Sequence, residues 1–217
     1  MKSAVKKTSK AKGQRDLGAT RQRILKAAAK EFAREGLQGA RIDRIAQRSR
    51  ANKAMIYYIF GNKETLHLAV LENLFEEKTK TMDRQLLANV PSLQELLTML
   101  SSYLDAFLHN PDATRVIFHD MAAGASALKR LKKKRPDLIQ PFRDISVRLK
   151  KLMDEGRIRS LDPDKAVLTT MLLLMALPVF LPHADMLHPK GAPLHENLTS
   201  PDQWKQFLAD ILTRALL

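Results

Sequence analysis

The sequence predicts an all-α protein, with a small three-helix unit at the N-terminus and a larger helical domain after it. Three observations carry this. Apolar residues recur at spacings of three and four along the chain, and no stretch alternates as a half-buried strand does. The punctuation is that of helix ends: Thr20, Asn52 and Asp162 stand at N-cap positions, Pro163 opens a first turn, and Gly36, Gly61 and Gly156 stand where periodic runs stop. Charge is segregated as well. The net charge is +14 over 217 residues, yet residues 1–62 hold 16 lysines and arginines against 4 acids, while the rest hold 21 against 19.

Composition narrows the classes. With 45% hydrophobic and 28% charged residues the chain is of folded, not disordered, type. It has no cysteine, which excludes disulfides, thiolate metal sites and thiol catalysis and suits a cytoplasmic location. No apolar run follows the lysine-rich N-terminus, so no secretory signal is expected. Ala166 to Leu181 carries no charge, but it is shorter than the roughly 20 residues of a membrane span and holds Pro178 near its end. It reads as a core or interface helix, with no membrane partner. A cationic excess confined to one end points to a polyanion, with double-stranded DNA the leading candidate.

Residues 1–19 are rich in lysine and poor in apolar side chains, and are expected to form a basic arm without secondary structure. Such an arm serves either as a solubilising tail or as a strand along a DNA backbone or minor groove. A three-helix domain is expected over 20–62. Its first helix starts at Thr20, with Ile24, Ala28 and Phe32 on one face and Arg21, Arg23, Lys26, Lys30 and Arg34 on others. The second runs from about Arg41 to Arg48 with Ile42, Ile45 and Ala46 inward. Ser49-Arg50-Ala51 is a turn, and Asn52 caps a third helix, Lys53 to Phe60, that buries Ile56, Ile59 and Phe60. Helices this short do not persist alone, because nucleation is costly, so they must pack on the first.

A helix–turn–helix of this charge suits the major groove, the second of its two helices reaching base edges with its first residues. Arg41 and Arg44 then lie on the phosphate side. Asn52 has the groups to pair with adenine, and Arg50 or Lys53 with guanine. Tyr57 and Tyr58 offer hydroxyls to phosphates and ring edges to thymine methyls.

The runs ILKAAAKEFAREG, Ile45-Ala46, Ile56-Tyr57-Tyr58, Phe60 and Lys63-Glu64-Thr65-Leu66 together resemble the DNA-binding domain of the tetracycline-repressor (TetR) family of transcriptional regulators. The resemblance covers residues 20–66. It implies that Tyr57, Tyr58 and Lys63 contact phosphates or base methyls, that Lys53, Ala54 and Met55 face the groove, and that residues 63–217 form a helical ligand-binding and dimerisation domain. The sequence departs from the family pattern at four places. Arg41 replaces the Ser or Thr that opens the second helix, Ser49-Arg50-Ala51 replaces Ala-Gly-Val, Asn52 replaces a Ser or Thr cap, and Ile59 replaces a His.

Beyond residue 62 every run is helical. Helices are expected at Lys63 to Leu87, from Pro91-Ser92 to a stop at Asn110-Pro111-Asp112, at Ala113 to Ala123, Pro136 to Glu155 and Pro163 to Phe180, and from Pro201 onward. The basic run Lys129 to Arg135 reads as a solvated loop and helix end. Leucine and methionine lie on nearly every face of Pro163 to Phe180, which asks for cover on all sides. By the resemblance this helix and the last one pair with their mates in a homodimer, with Leu172, Leu174, Trp204, Phe207 and Ile211 as interface candidates. Tyr103, Phe107, His119, Met171 and Met175 are candidates for a pocket that holds a small-molecule effector. His183, Asp185, His188 and His195 match no standard metal spacing and lie in a proline-rich stretch, so no metal site is expected. No nucleophile–base pair, glycine-rich phosphate loop or carboxylate pair points to an enzyme, and no cofactor is expected. The function so implied is a repressor released from a palindromic operator by a small molecule. The rival readings are a ligand-independent architectural or nucleoid-type DNA-binding protein and a peripheral membrane protein.

Overall fold

The chain order is helix after helix, with no strand among the described residues. The structure, a computed structural model, describes the backbone of residues 2–81, 92–138, 140–186 and 200–216. The side chains of 2–15, 78–81 and a few helical positions, Tyr103 among them, lie outside that description. The helices are α1 (Lys2–Gly39), α2 (Ile42–Ser49), α3 (Lys53–Phe60), α4 (Lys63–Thr81), α5 (Leu93–His109), α6 (Pro111–Ala122), α7 (Ser126–Lys134), α8 (Gln140–Asp154), α9 (Pro163–Phe180) and α10 (Pro201–Leu216), with 3₁₀ turns at Pro136–Leu138 and Leu181–Met186.

Two expectations change. The backbone is helical from Lys2, where composition led us to expect an arm without secondary structure. Lysine and alanine are the commonest residues there and no proline interrupts the stretch, so a helix already nucleated downstream extends through it in spite of Gly13 and Gly18. The run Lys129 to Arg135 is mostly helix as well. Ala127 and Leu131 of α7 are buried, and this seam is enough to hold the intervening cations in a helix.

The chain divides into two compact units, Met1–Leu74 with Arg115–Lys133, and Phe75–Thr114 with Lys134–Leu217. The first is therefore larger than residues 20–62. Its core takes Ile24, Ala28 and Phe32 from α1, Ile45 from α2, Ile56 from α3 and Leu66, Val70 and Leu71 from α4. His67 of α4 joins it, its ring meeting that of Phe32 edge-on at 4.8 Å between centroids. At Gly36 the backbone turns to φ 64, and a Cβ there would stand 3.2 Å from Nδ1 of His119 on α6, so the site favours glycine twice over.

The second unit packs α9 on α5 and α8, and α10 on α5. Leu104, Phe107, Ile145, Leu149, Leu152, Met171, Leu174 and Leu208 form its core. Caps fix the helix starts. Ser92 accepts from the amide of Glu95, and its hydroxyl donates back to that residue's carboxylate at 2.9 Å. Asp162 accepts from the amides of Asp164 and Lys165, both at 3.1 Å, and the bond from Lys165 is the main reason its carboxyl titrates below its ordinary value. Lys205 bridges Asp105 and Asp202 at 2.5 and 3.0 Å, tying α10 to α5, and the Asp105 bond raises the ammonium's pKa above its ordinary range.

Candidate nucleic-acid interface

The interface is built by two short helices held against α1. α2 has no side-chain cap of its own, because Arg41 stands at the N-cap position. A different bond fastens its start, while the Arg44 amide falls to the Arg41 carbonyl at 3.1 Å. Glu31, fully buried on the core-facing side of α1, accepts the Arg41 amide at 3.4 Å, the role that a glutamate three residues into a helix plays in a capping box. The same carboxylate takes Arg48 at 2.9 Å and Arg44 at 3.5 Å, and Glu35 takes Arg44 at 3.1 Å. Arg44, expected on the phosphate side, is thus turned toward α1 and largely neutralised there. The side chain of Arg41 is exposed.

The turn between the helices is made by an arginine. Arg50 adopts φ 52, ψ 38, the left-handed region, and its amide reaches the carbonyls of Ala46 and Gln47. The turn geometry suited to glycine is thus kept with a side chain in its place, at a cost of about 1 kcal/mol. Asn52 follows as the cap of α3, Oδ1 accepting the Met55 amide at 2.7 Å. That bond commits one lone pair of the amide oxygen that adenine recognition would use.

α3 then buries Ile56, leaves Ile59 and Phe60 half-buried, and turns the rest out. Lys53 and Ala54 are exposed, Met55 is half-buried, and Tyr57 and Tyr58 are 47% and 79% exposed. Lys53 pairs with Asp43 across the turn. At the far end Arg21 of α1 lies 5.6 Å from the centroid of the Phe60 ring, a cation–π contact that fixes the end of α3. Lys63 opens α4, and its ammonium donates to the carbonyls of Gln38 and Ala40 at 3.1 and 3.3 Å. It therefore has a structural duty beside any phosphate contact. Asn62 and Thr65 cap α4 reciprocally, at 2.8 and 3.0 Å. The result is a rigid head whose outward face carries two aromatic hydroxyls, a small side chain and exposed cations, which suits a polyphosphate groove.

Known proteins share this arrangement. The HTH-type transcriptional repressor SCO4008 of Streptomyces coelicolor is 42% identical over 105 residues, 48% of this chain and half of that repressor's own length. The HTH-type transcriptional repressor NicS of Pseudomonas putida is 26% identical over 205 residues, 91% of this chain and 92% of that one. The solved structure of SCO4942 from Streptomyces coelicolor superposes with a TM-score of 0.63 at 25% identity, over 91% of this chain and 98% of that one. Residues 24–70 match the family described as bacterial regulatory proteins, tetR family. The chain carries a tetR-family region. It is a transcriptional regulator and not an enzyme.

The regulator's other predicted residues are only partly brought together. Phe107 and Met171 are in the core of the second unit and Met175 packs half-buried against it, whereas His119 belongs to the first unit, against Gly36. The side chain of Tyr103 lies outside the described residues. Beside Met171 is a small, partly open cavity of about 30 Å³ between α5, α8, α9 and α10, room for no more than a few waters. A wider open groove of about 700 Å³ runs between α5 and α10, lined by Gln94, Thr98, Ser101, Gln203, Phe207 and Asp210.

Of the interface candidates, Leu172, Phe207 and Ile211 are exposed, as are Leu168, Leu173 and Phe180. Leu174 is instead 2% exposed, because it projects from the opposite face of α9 into the core. Trp204 is half-buried, its ring edge-on to Phe207 at 5.6 Å. Pro163–His183 is long and apolar enough to cross a membrane by length and composition alone. Among the described residues no His, Asp or Glu group could hold a metal. His183 is exposed, while His188, His195 and the Asp185 side chain lie outside the description.

Sequence reasoning missed Glu31. The signal was present: residues 24, 28, 31 and 32 share one helical face, and a carboxylate at that third position demands a cationic partner in the core.

Proposed function

We propose that this regulator is a homodimeric repressor that reads a palindromic operator with α3 of each copy. The observation that supports it best is the outward face of α3, where Ala54, Tyr57 and Tyr58 stand exposed while every inward residue of the head is locked by packing, caps or ion pairs. Arg41, Arg50, Asn52, Lys53 and Met55 complete the surface toward the groove, and Lys63 anchors its far end. One such head covers few base pairs, so two related by a twofold axis give the specificity a repressor needs. The exposed apolar residues of α9 and α10 supply the surface for that pairing, which covers the apolar helix with a second copy rather than with lipid.

Release is proposed to follow when a small apolar or amphipathic molecule enters the second unit and shifts α4, so that the two heads no longer match both half-sites. The molecule acts only through its different affinity for the two states. The small size of the cavity beside Met171 means that a ligand must open it, and this keeps a second reading in play: a DNA-binding protein without an effector, of architectural type.

Selection of genomic fragments by the protein, with sequencing and footprinting, tests both. A short palindrome protected on one face supports the repressor, and broad protection without sequence preference supports the rival. Asn52→Ser and Lys53→Gln should change base preference. If they changed nothing while Lys63→Gln did, α3 would not be the reading helix.

A further inference from the structure

Helix α7 carries a charge pattern that the reading head does not use. Its inward seam is Ala127 and Leu131. Lys129, Arg130, Lys132 and Lys133 are exposed, and its first turn holds no acid. Among the described residues no carboxylate pairs with Arg130, Lys132 or Lys133, and Lys129 donates to the Gly124 carbonyl at 3.1 Å. Arg135, just past the helix, shows the contrast: Glu76 and Asp137 hold it at 2.7 and 2.8 Å. Like charges on adjacent turns repel, so a helix that keeps them without counterions is poised for an external polyanion.

The helix is also fixed in place. Asp120, buried on α6, accepts the amides of Ala127 and Leu128 at 3.3 and 2.9 Å. The turn before it is tight, Gly124 and Ala125 both having positive φ. His119, the neighbour of Asp120, lies against Gly36 of α1, and two residues further on Gln38 accepts from Lys63. A few direct contacts therefore link α7 to the end of α1 that also holds Lys63, all within the unit that contains α3.

We propose that the outer face of α7 is a second phosphate-binding surface of this unit, engaging the backbone of the duplex that α3 reads. The duplex is the one assumed in the proposed function; the cation surface itself is independent of it. Backbone contacts carry no sequence information, so α7 adds affinity, salt dependence and footprint length, not base preference. The exposed face offers cations without the large apolar residues that a bilayer-inserted helix needs, which favours DNA over a membrane.

The test uses the full chain as Arg130→Gln/Lys132→Gln/Lys133→Gln, with Lys150→Gln/Lys151→Gln/Lys165→Gln as a charge-matched control on α8 and α9. Binding to the protected fragment and to an unrelated duplex is measured from about 50 to 200 mM salt, a range over which phosphate contacts change affinity strongly. A dimer loses up to six phosphate contacts at about 0.9 each, so the slope of log affinity on log salt should shrink by about 3 to 5 with base preference unchanged. The footprint should shorten, and the control should match wild type. Lys133→Gln alone should give roughly a third of the effect if the triple variant folds poorly. An unchanged slope and footprint, or an equal change in the control, would overturn the proposal. So would loss of binding to anionic vesicles with DNA binding intact. If the wild type selects no operator, the repressor reading fails, while the slope on the unrelated duplex still decides the role of α7.

Discussion

Arg50 is a cationic side chain held where a glycine would rest without strain. Arg50→Gly should raise stability by about 1 kcal/mol, a gain of about 2–4 °C in melting temperature for a chain of this size. It should also weaken DNA binding if Arg50 contributes its cation to the proposed groove surface. Thermal melts and binding titrations on one preparation would separate the two effects. His67 is the opposite case, a polar ring in the core with neither nitrogen hydrogen-bonded. Burial pushes its pKa below the ordinary 6.5, outweighing the upward pull of Asp120, and the nearby His119 adds to the lowering. The folded state thus binds fewer protons than the unfolded chain. Stability is complete above pH 6.5 and falls as the pH drops from there toward the depressed value. His67→Leu should remove that component and add about 1 kcal/mol at pH 7.5. Melting curves at pH 7.5 and 5.5 that stay parallel for wild type and variant would refute it.

At the scale of elements, the reading head depends on a carboxylate supplied by a different helix. Glu31 joins α1 to the start of α2 and to two arginines on its far side. Those arginines are partly solvated, so Glu31→Ala should cost about 2 kcal/mol, between the value of an exposed pair and that of a buried one. The midpoint of urea unfolding would report it. Most elements were legible in the sequence because caps and apolar spacing agreed: α3 was expected and found at Lys53–Phe60, and α9 begins at Pro163 behind its Asp162 cap. What was not legible came from contacts distant in sequence. Arg44 looked like a phosphate ligand because its partners lie 9 and 13 residues upstream. Lys63 looked free for DNA because the carbonyls it binds are more than 20 residues away. The helicity of α7 was hidden by its charge, since two seam residues make a weak periodic signal.

For the whole molecule the open question is assembly. α9 and α10 leave Leu168, Leu172, Phe207 and Ile211 exposed, apolar side chains that pairing with a second copy would cover. Leu172→Glu with Phe207→Glu should convert a dimer to a monomer in sedimentation velocity. It should also lower operator affinity by about 100-fold or more, because the second head no longer binds at high effective concentration. Monomeric wild-type protein with full operator affinity would contradict the proposed twofold reading. The separation of pocket candidates was unreadable at this scale, because His119 and Met171 belong to different compact units although both are helical positions of similar type.

The fastening of α2 through the Arg41 amide to Glu31 has a consequence for how this head can vary. Where the N-cap side chain itself fastens the helix start, few side chains are admissible there. In this chain Glu31 meets the Arg41 amide, which every residue but proline possesses. Position 41 is thereby released to diversify at the proposed DNA surface, while position 31 inherits the constraint. A saturation scan of both should find many functional replacements for Arg41 and almost none for Glu31, so that new operator preferences arise at one site under the protection of the other.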